Sequence, residues 1–273
     1  MGHSSYTKRV IRMTDKIKLA LGGYGRMNKI AANTFSDDPD ITVVVAVDPT
    51  FTEHFVYPFE TFHPDVLNTD KFPEVDVWLD FSTADAALEN IPKVVARRIK
   101  PVIATTGIKG DKAEYLRKVI EDSKTPSLWE ANYSLEMFVM KHLVREAARL
   151  LPPEYDIEVS ERHHRRKKDG PSGSLLNILV KAIREFRDVS VVYREETKDH
   201  LRTPEELGVS YQRAGDNPGR HEVVYAGNKE ELIIIHQAFD PSVFIDGARE
   251  GILYIHKQDK PGIYGFKDVL GLK

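Results

Sequence analysis

Cysteine is absent from this sequence, which excludes disulfides, thiol catalysis and cysteine-ligated metals. The absence fits a reducing compartment, and a cytoplasmic location is expected. No apolar run approaches the ~18 residues that span a bilayer, so no membrane partner is expected. Positive charge is not in excess either: 39 lysines and arginines stand against 42 aspartates and glutamates, a formal charge of -3. The one basic cluster is short and lacks interleaved aromatics, so nucleic acid is not an expected partner. Internal repeats and low-complexity tracts are missing, and no metal site is expected. The opening MGHSSYTKRVIRM has basic residues without the apolar core of a signal peptide. It is expected to be a disordered leader, with Met13 as an alternative start.

What is present is an ordinary globular composition, 41% hydrophobic and 30% charged over 273 residues. That length suits two domains or one large one. The first half alternates strand-like runs (Ile17–Leu21, Ile41–Asp48, Val75–Phe81, Pro101–Thr105, Ser127–Trp129) with helix-like runs (Arg26–Phe35, Ala84–Arg98, Asp111–Asp122). That alternation predicts an α/β, doubly wound parallel sheet covered by helices. From about Tyr155 the rhythm changes to strands: Asp156–Ser160, Val189–Arg194, Val209–Gln212, Glu222–Tyr225 and Leu232–His236. Only the run Leu175–Phe186 among them has helical spacing. A second, smaller domain with a largely open mixed sheet follows, and such a sheet needs cover, commonly from a second copy of the chain.

The glycine loop Gly22-Gly23-Tyr24-Gly25-Arg26-Met27 lies between the first strand and the first helix. Glycines there allow a tight turn and close approach to a pyrophosphate at the helix N-terminus. Asn28 stands where a third glycine would fall, so a plain strand-to-helix turn also explains the loop. Asp48, ending the second strand, is where a dinucleotide site places the acid that binds ribose hydroxyls; it also suits a turn before Pro49. Thr105-Thr106-Gly107 and Glu130-Ala131-Asn132-Tyr133 end the fourth and fifth strands at the same sheet edge, where open α/β sheets bind ligands.

The densest chemistry is in Glu161-Arg162-His163-His164-Arg165-Arg166-Lys167-Lys168-Asp169-Gly170-Pro171-Ser172-Gly173-Ser174. Paired histidines and a basic run feed a Pro-Ser-Gly-Ser turn and a helix start. That combination suits a small carboxylate or phosphate, and a solvated basic loop is the alternative.

This stretch resembles the E-x-H-H-x-x-K-x-D-A-P-S-G-T pattern of the dihydrodipicolinate (4-hydroxy-tetrahydrodipicolinate) reductase family. The resemblance covers nearly all the chain. It includes the G-x-x-G-R-M loop at Gly22–Met27, Asp80–Ser82, Thr105–Gly107, Ala131–Ser134, the R-x-G-x-x-x-G-x-H stretch at Arg213–His221 and the tail Gly262–Leu272. It implies an NAD(P)H-dependent reduction in diaminopimelate and lysine biosynthesis, a small dicarboxylate substrate and a homotetramer. His163 and Lys167 would be the catalytic proton donors, and His164, Gly173 and Ser174 would hold the substrate. Gly22, Gly23, Tyr24, Gly25, Arg26, Met27, Asp48, Ala104, Thr105, Thr106, Glu130, Ala131, Asn132 and Tyr133 would line the dinucleotide. The dinucleotide-binding domain would comprise 16–131 and, through a returning tail with the helix-like run Val243–Ile255, 241–273. The substrate-binding and oligomerisation domain would comprise 132–240.

The chain departs from the family pattern in several places. Gly170 replaces an alanine and Ser174 a threonine. Ala104 stands for the first glycine of a G-T-T-G turn, Glu136 for a glycine, and Pro241 for an arginine near the substrate. Loss of one cation beside a dianion is worth roughly 1.5–3 kcal/mol. Asp48 followed by Pro49 favours NADH over NADPH, or use of both. The alternatives are a paralogous NAD(P)-dependent reductase of another small carboxylate, and a non-catalytic dinucleotide-binding protein.

Overall fold

Short, mostly apolar strands alternating with helices build the first half of the chain. The computed structural model describes residues 16–51, 57–193 and 201–272. The expected leader, with Met13, lies outside the described residues. In order come β1 (Ile17–Gly22), α1 (Arg26–Thr34), β2 (Ile41–Val47), β3 (Glu60–Phe62), β4 (Val77–Asp80), α2 (Ala84–Ala96), β5 (Lys100–Ile103), α3 (Asp111–Ser123) and β6 (Ser127–Trp129). Next come α4 (Leu135–Leu150), β7 (Asp156–His163), a π-helical stretch (Ser174–Val180), α5 (Lys181–Arg184), β8 (Ser190–Tyr193), β9 (Glu206–Arg213), β10 (Gly219–Ala226) and β11 (Glu231–Ala238). The chain finishes with α6 (Val243–His256), β12 (Ile263–Tyr264) and α7 (Phe266–Val269).

Two compact units result, Met1–Ala131 with Ala248–Lys273, and Asn132–Gly247. The second break falls inside α6, whereas the sequence placed it at 240/241. A continuous helix offers no local punctuation to mark such a break.

The first unit is a seven-stranded sheet in the order β12-β6-β5-β4-β1-β2-β3, with every pairing parallel. This is the doubly wound order, and it reverses between β1 and β4. The crevice beyond the carboxyl ends of those two strands is where such sheets bind ligands, and Gly22 and Asp80 are paired there. Arg249 of α6 anchors the tail to this unit, with 2.6 Å ion pairs to Asp38 and to Asp40.

The second unit is a mixed five-stranded sheet in the order β11-β10-β7-β9-β8. Its pairings set four side chains in each row across one face. The first two rows are apolar, Leu207–Ile157–Tyr225–Leu232 and Val209–Val159–Val223–Ile234. Apart from Leu232, which is exposed on the edge strand, they form the core of the unit with α4 and the π-helical stretch. The third row, Tyr211–Glu161–His221–His236, turns ionisable on that same face. On the edge strand β11, Ile233 and Ile235 alternate to the opposite face and are exposed.

The strands expected in the first half recur as β1, β2, β4, β5 and β6. The expected strands from Asp156 recur as β7 to β11 with longer ends; Arg194, the expected end of β8, lies outside the described residues. Among the elements described, β3, β12, α4 and the four-residue α7 were not legible. β3 and β12 are too short to carry a period. In α4, Met137, Met140, Val144 and Ala148 are buried, while Leu135, Val139 and Leu143 form an exposed apolar stripe. A helix apolar on two faces loses the contrast that a helical period needs. The run Leu175–Phe186 is helical, but opens with π turns before α5.

Candidate active site

The glycine loop is shaped by what surrounds it. A Cβ at Gly22 would lie 2.4 Å from the Trp78 ring, and Gly23 has φ +77, a conformation other residues adopt only with strain. Trp78 is held in turn by donating from Nε1 to Asp80 Oδ2 at 2.9 Å. Asn28, in place of a third glycine, is buried and donates from Nδ2 to the carbonyls of Gly22 (2.9 Å) and Gly23 (2.6 Å). The loop is therefore fixed by a side chain instead of by close backbone packing. Among the described residues, a Cβ on Gly25 would meet nothing within 4 Å, and no side chain caps α1 there. Open space against free helix N–H groups fits a pyrophosphate.

Asp48 accepts from Tyr24 N at 2.6 Å, from Thr50 N at 2.8 Å and from the Thr50 hydroxyl. Burial pushes its carboxyl up, but the Thr50 and Tyr24 donors and the charge of Lys29 outweigh this and hold it below the ordinary value. It lines a cavity of about 440 Å³ with Gly23, Gly25, Ser82 and the acids Asp65 and Glu89. The remaining loops share the edge. Thr105 is buried, with its hydroxyl donating to Asp80; Ala104 is buried, and Thr106 is exposed. Arg26 is exposed and Met27 half-buried. Glu130 accepts from Ala131 N at 3.1 Å and from Phe266 N at 3.3 Å, fastening the tail to this edge.

Asn132 and Tyr133, read from the sequence with the dinucleotide residues, belong to the second unit. There Asn132 Nδ2 donates to Ser174 Oγ at 3.1 Å, and Tyr133 is buried. Glu161 organises the rest of this unit's site. Its carboxylate accepts from Ser172 N and from Arg213, each at 2.9 Å, and from the Ser172 hydroxyl. His163 Nδ1 and His221 Nε2 each lie 3.6 Å from Oε2. Burial alone would raise the Glu161 pKa, but His163, Ser172 and Arg213 hold it at about 2. Burial first, then the neighbouring His163, pushes His221 down to about 3. His236 is lowered by burial too, with Glu136 opposing.

Lys167 is half-buried and pairs with Asp169 at 2.8 Å; its N–H donates to the His164 carbonyl at 3.1 Å. His164 is half-buried and Gly173 exposed. Glu161, Arg213, His221 and His236 were missed as site residues. The only sequence signal was that Glu161, Arg213 and His221 stand at fixed positions of the motifs, and His236 heads the H-x-A segment. Two departures have local reasons. Glu136 sits in the first turn of α4, where the dipole favours an acid, and accepts from Ser134 Oγ at 3.3 Å. A Cβ at Gly170 would lie 2.5 Å from the Tyr211 ring, so glycine at 170 and tyrosine at 211 belong together. Tyr211 also carries the Arg213 guanidinium at 4.9 Å over its ring.

A doubly wound sheet with a glycine-loop crevice, joined to a mixed-sheet unit with buried histidines and an acid, defines a dinucleotide-dependent oxidoreductase acting on a small molecule. Family models described as dihydrodipicolinate reductase, N-terminus and C-terminus, match residues 17–133 and 137–270. The chain belongs to the dihydrodipicolinate reductase family. It is 35% identical over 257 residues to the 4-hydroxy-tetrahydrodipicolinate reductase of Methanospirillum hungatei, covering 92% of this chain and 97% of that one. It is 36% identical over 260 residues to that of Caldanaerobacter subterraneus subsp. tengcongensis, covering 93% and 98%. Its fold is similar to that of a dipicolinate-bound dihydrodipicolinate reductase from Paenisporosarcina sp. TG-14, with a TM-score of 0.72 and 21% identity over 93% of this chain and 99% of that one. Among the described residues no helix is long and apolar enough to cross a membrane.

The buried acid and histidine give a pH prediction. Both pKa values are depressed on folding, His221 from 6.5 to about 3 and Glu161 from 4.5 to about 2. The unfolded chain therefore binds more protons, and stability falls as pH falls. The loss begins near 6.5 through His221 and continues below 4.5 through Glu161. In urea unfolding, His221→Gln should flatten the slope between pH 6.5 and 4.5, and Glu161→Gln the slope below it; unchanged slopes would contradict this assignment.

The Gly170–Tyr211 contact gives a second prediction. Gly170→Ala should displace the Tyr211 ring and destabilise the unit. Adding Tyr211→Ala should recover much of that loss, with a coupling of about 0.5–3 kcal/mol. Additive effects in a double-mutant cycle would show that the two side chains do not compete.

Proposed function

We propose that this chain reduces 4-hydroxy-tetrahydrodipicolinate to tetrahydrodipicolinate, in the cytoplasm, as a homotetramer using NADH in preference to NADPH. The observation that carries the reaction is the family match across both units, with the histidine–lysine motif folded around a buried carboxylate. The dinucleotide, when bound, supplies a hydride. Gly22, Gly23, Gly25 and the first turn of α1 hold its pyrophosphate, and Asp48 holds its ribose hydroxyls. Loss of the substrate's 4-hydroxyl as water leaves a conjugated imine; hydride addition to it leaves electron density that an acid must quench, and His163 and Lys167 supply that proton. His164, Lys167 and the Ser172–Ser174 turn neutralise and orient the dicarboxylate. Glu161 Oε2 faces the His163 ring on its Nδ1 side at 3.6 Å.

The NADH preference rests on charge. The described cavity lining holds Asp48, Asp65 and Glu89 against a single histidine, His63, and no lysine or arginine, so a 2′-phosphate would face mainly carboxylates. The tetramer rests on the exposed Ile233 and Ile235 of β11 and the apolar stripe of α4, surfaces that monomers seldom leave uncovered. A micromolar sample whose scattering mass equals 31.1 kDa would exclude it. Pro241, in place of an arginine, favours a second reading in which another small carboxylate is reduced. Turnover of 4-hydroxy-tetrahydrodipicolinate, followed as loss of NADH absorbance, decides between the two.

His163→Ala and Lys167→Ala should each lower turnover by ~10²-fold or more, the scale of general acid catalysis, while NADH affinity stays nearly constant. Normal turnover in both would leave the basic stretch as a solvated loop. Asp48→Ser should weaken NADH use more than NADPH use, by removing both the ribose acceptor and the repulsion of a 2′-phosphate. Equal changes in kcat/KM for the two cofactors would put Asp48 outside the adenosine site.

A further inference from the structure

We propose that Glu161, His163 and His221 form a transition-metal site that binds Zn2+ reversibly, and that loading it stops turnover by occupying His163. The strand register assembles the ligands. Glu161 and His163 are two residues apart on β7 and share a face, and His221 lies directly opposite Glu161 on β10. The three potential ligand atoms lie within 4.8 Å of one another. Each imidazole nitrogen is 3.6 Å from Glu161 Oε2. Two ligands on a tetrahedral Zn2+, at about 2.0–2.2 Å from it, stand about 3.3–3.5 Å apart, so both imidazole–carboxylate spacings already fit, and the two imidazole nitrogens, within 4.8 Å of each other, close on the ion as it binds.

The independent sign is unmet hydrogen-bonding capacity. His221 is 3% exposed and His163 7%. Both ring nitrogens of His221, and Nδ1 of His163, have no hydrogen-bond partner among the described residues. Buried polar atoms in that state call for a water or an ion. Two imidazoles and a carboxylate converging on one point favour an ion of the zinc type over magnesium or calcium, which prefer all-oxygen ligands. Arg213 and the Ser172 N–H on Oε1 orient the carboxylate as partners of metal ligands do. Three protein ligands leave one position open, and the nearby Arg213 cation opposes the metal's charge. Both features make the site a reversible one. With a metal on Nδ1, the His163 ring cannot take up a proton unless the metal leaves.

Binding does not depend on the reductase reading; the effect on turnover does. Chelator-treated full-length protein is titrated with Co2+, then Zn2+, and assayed with NADH and 4-hydroxy-tetrahydrodipicolinate. One Co2+ per chain should give the strong visible absorption of a four- or five-coordinate site. Zn2+ should displace it and inhibit, and chelator should restore activity. His221→Phe should weaken Zn2+ binding by roughly 10–100-fold or more, since even indirect partners of metal ligands are worth that much. His236→Gln, one strand further along the row, should leave the affinity unchanged. His221→Cys keeps a ligand and should add a thiolate-to-cobalt band, unambiguous in a chain with no other cysteine. Failure of the wild-type chain to bind Co2+ or Zn2+ stoichiometrically, or absence of that band, overturns the site. Binding without inhibition overturns the switch and removes His163 from turnover.

Discussion

A carboxylate buried at the end of β7 constrains everything around it. Glu161 is 3% exposed, and an unpaired charge there would be very costly. The fold therefore brings it donors, Arg213 from β9 and Ser172 from the turn that follows the basic stretch, while His221 of β10 lies 3.6 Å away. Meeting that need closes the Arg162–Ser174 loop back onto the strand it left. Lys167 and His164 are presented by a loop held at both ends, at Glu161 and at Ser172. Between them Arg165 N donates to the Gly215 carbonyl at 3.0 Å and Arg166 pairs with Asp216 at 2.7 Å.

The first unit solves a different problem, keeping a backbone turn open to a ligand. Its sheet brings Trp78 against Gly22, so the strand end admits no side chain. Asn28 donates to the Gly22 and Gly23 carbonyls of the tight turn, and the Gly22 carbonyl also accepts from Phe81 N at 3.3 Å. Asp80 gathers Trp78 of its own strand, Ser82 of the loop that follows and Thr105 beyond the end of β5, and so couples the neighbouring loops at the switch point. Rigidity beneath the loop and open space above Gly25 come from the same packing.

The two units differ in how much of their chemistry was legible. In the first, each site residue sits at the end of its own strand, and strand ends are local features: a glycine pair after an apolar run, an acid before a proline. The doubly wound sheet follows from strand and helix alternation alone. In the second, His163, His164 and Lys167 were legible because they are neighbours in one motif. Arg213, His221 and His236 were not assigned roles, because their place beside Glu161 depends on strand register across long separations. The helix α4 was hidden for a related reason: it has a buried face and an exposed apolar one, and one-dimensional periodicity cannot tell them apart.

The sequence by itself determined the class of fold, the glycine loop, the acid at 48, the histidine–lysine motif and the family they belong to, because each is encoded by residues close together in the chain. Only the tertiary structure decided that Asn28 replaces a packing glycine, that Gly170 makes room for Tyr211, and that Glu161 is the charge around which Arg213 and two histidines converge. Those depend on which strands lie side by side and in what register. Register is set by burying the two apolar rows of the second sheet together, and the ionisable row beyond them is carried into place by the same alignment.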